Sequence, residues 1–162
     1  MDKDKKVFMS FSKLDQRLEE KFEDFLQLGM GIRREDIFCT ADRSALATGV
    51  NFCEEIKKQM NQCDVVISLI TEKYLESRFC TGEAGAAYIL GKRYFPLLLV
   101  PYSALNDTLL LGKEMRMLDN AYDLCTIYDE LCDCNIAGRI PSAQFNRRME
   151  EFLAFVKEWK GK

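Results

Sequence analysis

The chain has 162 residues, 48% hydrophobic and 30% charged, which is enough for one domain with a proper core. Its net charge of −3 comes from well-mixed signs, so no basic face for nucleic acid or an anionic membrane is evident. The longest apolar runs fall far short of a bilayer span and the N-terminus does not resemble a signal peptide, so we expect a soluble, cytoplasmic protein.

Short apolar runs alternate with amphipathic stretches along the chain. This alternation predicts a single domain over residues 1–162, an α/β fold of the flavodoxin-like, three-layer type with a five-stranded parallel sheet and helices on both faces. The predicted strands are residues 7–11, 37–39, 65–70, 95–100 and 124–128.

Three predicted helices carry apolar stripes at intervals of three and four. The first has Ser12 as its predicted N-cap and ends at Gly29-Met-Gly31, and its stripe is Leu14, Leu18, Phe22 and Phe25. The stripe of the second is Phe52, Ile56 and Met60. The stripe of the last is Phe145, Met149, Phe152, Val156 and Trp159. These stripes are typical of core packing and indicate no cofactor.

The helix that follows the third strand has a glutamate on its apolar face. At helical spacing Glu83 shares one stripe with Phe79, Ala86, Ala87 and Leu90. An ionised group there is costly unless it has a partner or a function. The alternative is a glutamate at a solvated helix edge with its aliphatic stem packed down.

Three polar segments follow the first three strands. Residues 10–13 come after the first strand, the loop 40–49 comes after the second, and Glu83 comes shortly after the third. Ligands bind at the carboxyl ends of the strands in open α/β sheets. We therefore expect the three segments to converge at one edge of the sheet.

Reactive groups in this chain are limited by composition. It contains no histidine, so Ser-His-Asp and Cys-His machinery cannot be built, and carboxylates, hydroxyls and thiols remain. Seven cysteines, an odd number placed mostly within predicted elements, indicate reduced, buried thiols. The spacing of Cys125, Cys132 and Cys134 is not that of a zinc knuckle, so we predict no metal site and assign these three residues no role.

A series of motifs in a fixed order extends over nearly the whole chain. It comprises residues 6–12, residues 36–39, Gly49-x-x-Phe52-x-x-x-Ile56, residues 64–70, Ser77-x-x-Cys80-x-x-Glu83, Gly91-Lys92 and the apolar run 94–100. In this order the motifs resemble the Toll/interleukin-1 receptor (TIR) domains that consume NAD. Residues 40–49 take the place of that family's mobile loop.

The resemblance implies that Glu83 is the catalytic residue of an NAD glycohydrolase or cyclase, with NAD as substrate and no further cofactor. The residues expected to line the substrate pocket are Ser10, Phe11, Ser12, Lys13, Thr40, Asp42, Phe52, Phe79 and Cys80. Of these, Phe11 and Phe79 are expected to stack on the bases or the nicotinamide.

The chain also departs from the family pattern. Thr40 stands where members often carry a polar or acidic residue, and Ser12 where they often carry an aromatic or arginine, so Asp42 is a candidate substitute for the ribose contacts. The alternatives are that Ser12 only caps a helix and that Asp42 only shapes a turn. Cys80 is more consistent with a packed thiol than with a nucleophile, since no histidine can activate it.

One carboxylate is enough for the implied chemistry. Nicotinamide is cationic before the bond to ribose breaks and neutral afterwards, so no general acid needs to protonate it. A fixed negative charge stabilises the oxocarbenium-like transition state. Capture of the ribosyl centre by water gives ADP-ribose and capture by adenine gives a cyclic product, and the sequence leaves this choice open.

The resemblance further implies a role in bacterial antiviral defence, activation by self-association, and a separate sensor or effector protein as a further candidate partner. The loop residues expected to contact a neighbouring protomer are Arg43, Ser44, Ala45 and Leu46. The alternative is a noncatalytic TIR scaffold, for which the loop matters and Glu83 does not.

A phospho-acceptor receiver and a dinucleotide-binding dehydrogenase are excluded, because the acidic residues of the first and the glycine-rich turn of the second are missing.

Overall fold

A parallel sheet of five strands forms the centre of the structure, a computed structural model that describes residues 6–39, 52–108, 110 and 114–161, without the side chains of 52, 53 and 55. The strands are β1 (Val7–Ser10), β2 (Ile37–Cys39), β3 (Val65–Ile70), β4 (Arg93–Leu98) and β5 (Arg116–Met117). Their order is β2-β1-β3-β4-β5, and every neighbouring pair is parallel.

Helices cover both faces of this sheet. They are α1 (Gln16–Met30), α2 (Phe52–Asn61), α3 (Glu72–Glu76), α4 (Arg78–Ile89), α5 (Ala121–Asp133) and α6 (Ser142–Lys160), with short 3-10 turns at Lys13–Asp15, Arg34–Asp36 and Tyr102–Leu105. The predicted α/β fold with a five-stranded parallel sheet is therefore confirmed.

Alternate residues of each strand point to opposite faces of the sheet, which we name the first and the second face. On the first face, Val7 and Met9 of β1 pack with α1, α5 and α6. Aromatic rings join α1 to α6 there, with Phe22 and Phe152 at 5.5 Å and Phe25 and Phe145 at 5.7 Å between ring centroids. This is the larger of the two cores.

The second face carries two smaller apolar clusters. In one cluster Phe8 and Val66 pack with Met60 of α2 and Ala87 of α4. In the other, residues at the carboxyl ends of β3 and β4 pack with α3 and α4, namely Ile70, Leu98, Tyr74, Cys80 and Ala84. Ser10 of β1 and Ser68 of β3 lie on this face, so the strands place polar groups between the two clusters.

The predicted fifth strand at 124–128 is wrong, because these residues belong to helix α5. Leu124, Ile127 and Leu131 are its buried residues and recur at helical spacing. The Asn120 side chain accepts the N–H of Asp123 at 3.0 Å and caps the helix. The actual β5 has only two residues, too few for an alternating pattern to be visible, and pairs with Leu97 and Leu98.

Two stripe assignments also need correction. Leu14 lies in the 3-10 turn before α1 and is 76% exposed, so it does not belong to the buried stripe of that helix. Trp159 is only partly buried at the end of α6, whereas the rest of its predicted stripe is buried. The predicted stop of α1 is confirmed at Gly31, whose φ of 68° is a left-handed conformation that glycine adopts without steric cost.

Candidate functional site

Glu83 lies on the inward face of α4 and is 2% exposed, as its position in the apolar stripe predicts. The helix begins after Ser77, whose hydroxyl accepts the backbone N–H of Cys80 at 3.2 Å. Small residues on the same face, including Ala84 and Ala87, are buried with it. Their size allows the helix to pack closely on the sheet, so the carboxyl group of Glu83 enters the interior.

Ser10 is the described partner of this carboxyl group. Its hydroxyl donates to Oε1 of Glu83 at 3.1 Å. Ser10 is the last residue of β1 and is 0% exposed, so the hydrogen bond joins α4 to the carboxyl end of an inner strand of the sheet. The expected convergence of the first-strand end with Glu83 is therefore observed.

A row of hydroxyl groups continues from Ser10 across the second face. The hydroxyl oxygens of Ser10 and Tyr74 are 2.8 Å apart, and those of Tyr74 and Ser68 are 3.0 Å apart. Tyr94 of β4 donates to the hydroxyl of Ser68 at 2.9 Å. The sequence analysis missed Ser68, Tyr74 and Tyr94. The one signal for them is Ser68, a polar residue inside the apolar strand Val-Val-Ile-Ser-Leu-Ile.

Both tyrosines of this row are neutral hydrogen-bonding groups. Burial raises the pKa of Tyr74 well above its ordinary value, and the charges of Tyr94 and Glu83 act in the same direction. Burial also raises the pKa of Tyr94 to about 12, again supported by the charge of Glu83. The row can therefore orient the carboxyl group, whereas neither phenol is suited to act as a base near neutral pH.

Two of the other predicted site residues lie near Glu83 in the chain and on the same helix. Phe79, one turn earlier, is partly buried against the cluster that contains Phe8 and Ala87. Cys80 is 1% exposed in the cluster that contains Ile70. Its position is that of a packed thiol.

The turn after β1 contributes less than expected. Phe11 is 4% exposed in the core of the first face, so the structure does not bring its ring to Glu83 on the second face. Ser12 accepts the N–H of Leu14 at 3.3 Å and thus caps the 3-10 turn. Lys13 is exposed.

The remaining predicted site residues are not described. The side chain of Phe52 and all of Thr40, Asp42, Arg43, Ser44, Ala45 and Leu46 lie outside the described residues. Their roles stay predictions.

A second group of polar side chains lies between α1 and β2. Glu19 and Glu23 are 4% and 3% exposed, and their carboxyl oxygens lie within 4.8 Å of each other and of the Cys39 sulfur. The thiol donates to Oε1 of Glu19 at 3.2 Å, and Arg34 contacts Oε1 of Glu23 at 2.6 Å. A hydrogen-bonded cluster with its own cation is therefore already formed here.

Protonation decides whether this cluster could hold a metal ion. Burial, and then the hydrogen bond to Glu23, raise the pKa of Glu19 to about 8. Burial and the charge of Glu19 raise the pKa of the Cys39 thiol as well. A cation would have to displace both protons and compete with Arg34, so the donor set does not fit a metal centre well.

A doubly wound parallel sheet in the order β2-β1-β3-β4-β5 defines an α/β domain of the flavodoxin-like class. Within the described residues, no helix combines the length and the apolar character needed to cross a bilayer. The comparisons with known proteins narrow the class further.

A family model described as the TIR domain matches residues 7–129. The TIR domain of the Toll-related receptor TRR-2 from Hydra magnipapillata is similar in fold, with a TM-score of 0.54 and 15% identity over 80% of this chain and 96% of that chain. The TIR domains of the activated Roq1 resistosome, which recognises the pathogen effector XopQ, have a TM-score of 0.47 and 17% sequence identity over 93% of this chain and 82% of that chain. No curated protein matches the sequence. The chain belongs to the TIR domain family.

The hydroxyl row predicts the effect of removing its central member. Replacing Tyr74 by Phe leaves the hydroxyls of Ser10 and Ser68 buried without this partner, so we expect the free energy of unfolding to fall by about 1–3 kcal/mol. Urea unfolding followed by circular dichroism measures the change. Tyr122→Phe is the control, because Tyr122 is 76% exposed and its variant should stay within about 0.5 kcal/mol of wild type. Equal stabilities of the two variants would contradict the prediction.

The carboxyl pair of α1 predicts a pH dependence of stability. The pKa of Glu19 is raised from 4.5 to about 8, so the folded state keeps a proton that the unfolded state loses. Its stabilising contribution is complete below about pH 4.5 and disappears as the pH rises through about 8. Urea midpoints of wild type should fall over this interval, and Glu19→Gln should flatten the fall. Glu20 is a neighbouring exposed residue, and Glu20→Gln should show the same fall as wild type. If the urea midpoint of Glu19→Gln fell as steeply with pH as that of wild type, the pH dependence would not come from Glu19.

Proposed function

We propose that this TIR domain cleaves the nicotinamide–ribose bond of NAD, as a glycohydrolase or a cyclase, with Glu83 as its catalytic residue. The supporting observation is a carboxyl group, 2% exposed, that a serine at the carboxyl end of β1 holds inside the protein. A buried carboxyl group is costly, and an apolar residue in the same stripe would stabilise the fold more. Its presence is better explained by a function than by stability.

The proposed reaction needs few groups from the protein. The bond between ribose C1′ and the nicotinamide nitrogen breaks, its electron pair goes to the nitrogen, and nicotinamide leaves as a neutral molecule. The Glu83 carboxylate stabilises the positive charge that develops on the ribose and accepts hydrogen bonds from its hydroxyls. Phe79 supplies a ring one helical turn away for contact with the nicotinamide.

Ser10 and the hydroxyl row would fix the orientation of the carboxylate before the substrate arrives. A group held in place by hydrogen bonds needs no reorganisation when charge develops, which is the physical basis of electrostatic catalysis. The attacking nucleophile at C1′ is water for ADP-ribose or an adenine nitrogen for a cyclic product. Water loses a proton to solvent after the new bond forms. An adenine ring nitrogen has no proton of its own, so the positive charge it gains on attack is neutralised by loss of a proton from the 6-amino group.

Access to Glu83 requires a conformational change. At 2% exposure the carboxylate is out of reach of a dinucleotide, so residues that cover it have to move before the reaction. Assembly of several copies is a means to select the open state, since contacts between protomers stabilise whichever conformation makes them. This supports activation by self-association through the loop residues Arg43, Ser44, Ala45 and Leu46.

The biological setting follows the same proposal. We place the domain in the cytoplasm, in bacterial antiviral defence, with NAD and further copies of the chain as its partners and a separate sensor or effector as a further one. No nucleic acid or membrane surface takes part in it.

A noncatalytic TIR scaffold is the second candidate function, and one observation favours it. The hydrogen bond from Ser10 to Glu83 joins β1 to α4, so the glutamate has a structural role in the closed fold. In a scaffold this role would be sufficient, and signal transfer would depend on the loop alone.

The catalytic proposal predicts the effect of a neutral isostere. Glu83→Gln keeps the shape and can keep the contact to Ser10 but removes the negative charge, so nicotinamide release should fall by about 100-fold or more. Concentrated protein is incubated with NAD, with and without a crowding agent, and products are followed by chromatography and mass spectrometry.

Glu76→Gln is the matched control for this experiment. Glu76 ends α3 with an exposed carboxylate, and its variant should retain wild-type turnover. Equal nicotinamide release by wild type and Glu83→Gln would disprove the role of Glu83, and no release by wild type under any condition would favour the scaffold.

The self-association proposal predicts that activity depends on protein concentration. A charged side chain in the loop, Ala45→Glu, should abolish turnover and association while leaving the thermal midpoint of unfolding unchanged. Ala143→Glu places the same charge at an exposed position of α6 and serves as the control. Specific activity that stays constant over a wide range of wild-type concentrations would contradict this prediction.

A further inference from the structure

A cleft opens at the carboxyl edge of the sheet, with a volume of about 510 Å³. In the sheet, β2 lies on one side of β1 and β3 lies on the other, so the chain connections from β1 and from β2 run in opposite directions along the sheet. The cleft lies at the carboxyl ends of β1 and β3. This is the switch point at which open parallel sheets bind ligands. The cleft is lined by Asp15, Thr71 and Trp159 but not by Ser10 or Glu83, so it is distinct from the candidate NAD site.

A buried carboxyl group lines the cleft. Asp15 is 4% exposed and accepts a hydrogen bond from the hydroxyl group of Thr71. The same hydroxyl oxygen accepts the backbone N–H of Tyr74 at 3.1 Å. These bonds fix Asp15 across the gap between the ends of β1 and β3. A ligand that enters the cleft therefore meets a hydrogen-bond acceptor held in a set position.

The walls of the cleft are apolar and include an aromatic ring. Leu14 lines the cleft and is 76% exposed, so its side chain is available to a ligand. Trp159 and Pro101 line it as well, and Trp159 is only partly buried. An aliphatic side chain and an indole beside the same opening suit a flat ring that can contact both.

Lysines complete the lining. Lys73 and Lys160 are 53% and 46% exposed, and Lys73 contacts the Glu76 carboxylate at 4.0 Å. Lys160 contacts Asp119 at 2.6 Å, and the exposed Glu72 also lines the cleft. This balance of charges suits one phosphate group better than a chain of phosphates, which Glu72 would repel.

We propose that this cleft binds a nucleoside monophosphate. The base lies between Leu14 and Trp159, an amino group of the base donates to Asp15, and the phosphate contacts Lys73 and Lys160. The volume is in the range of small-molecule sites, and the lining combines apolar walls with a few polar groups as such sites do. The inference does not depend on NAD cleavage by Glu83.

Trp159 makes the site directly measurable, because the chain has one tryptophan. Its emission is followed while wild-type protein is titrated with AMP, with free N-acetyltryptophanamide as the control for light absorption by the nucleotide. A saturable change is expected for AMP, and adenosine should bind about tenfold more weakly because it lacks the phosphate. Isothermal titration calorimetry measures the same affinities independently.

Variants test the position of the ligand. Lys73→Gln and Leu14→Glu alter exposed side chains, so the fold should persist while AMP affinity falls about tenfold or more. Lys157→Gln, an exposed lysine on α6 that does not line the cleft, should stay within about twofold of wild type. Glu83→Gln should also bind AMP within about twofold of wild type, which separates this inference from the proposed enzyme activity.

Absence of saturable AMP binding in both measurements would overturn the proposal. The proposal would also be overturned if Lys73→Gln and Leu14→Glu bound AMP as tightly as Lys157→Gln does. The ligand would then lie elsewhere on the protein.

Discussion

The burial of one carboxyl group shapes the second face of this TIR domain. Glu83 enters the interior between two apolar clusters, where hydroxyl groups help to compensate for the burial of its carboxyl group. Ser10 reaches the carboxylate, and Tyr74, Ser68 and Tyr94 extend the row to β4. Because every hydroxyl in a buried row needs partners, each member constrains the next, and the positions of three strands and two helices become linked.

The short helix α3 connects the two sites that we propose. Thr71, which precedes it, binds Asp15 at the cleft with its hydroxyl and caps the helix through Tyr74. The ring of Tyr74 in turn reaches Ser10 beside Glu83. A ligand that moves the Asp15–Thr71 contact would therefore act on the element that also orients the carboxyl group of Glu83. Two ligands coupled through such an element influence each other's binding reciprocally.

Local patterns revealed the strands of the inner sheet and the inward face of Glu83, since both depend on side-chain periodicity that neighbouring residues display. The same reasoning failed at 124–128, where Leu-Cys-Thr-Ile-Tyr is compatible with a strand and only packing on the sheet selects a helix. The hydroxyl groups beyond Ser10 were missed for another reason. Ser10 and Tyr74 are 64 residues apart, so their contact is a property of the fold and not of any local segment. Phe11, one residue past Ser10, packs with the opposite face.

The shortness of β5 determines how this sheet can meet another protein. It pairs only with Leu97 and Leu98, so within the described residues the first half of β4 has no strand on that side. Pro96 removes one backbone donor from this stretch, and ion pairs of Arg93 and Arg116 with Glu130 place charges beside it. Prolines and charges at a sheet edge oppose the addition of a foreign strand. The addition of a strand from another protein is therefore disfavoured at this edge, and a partner that approaches this side of the domain meets side chains of its helices and loops instead of free backbone groups.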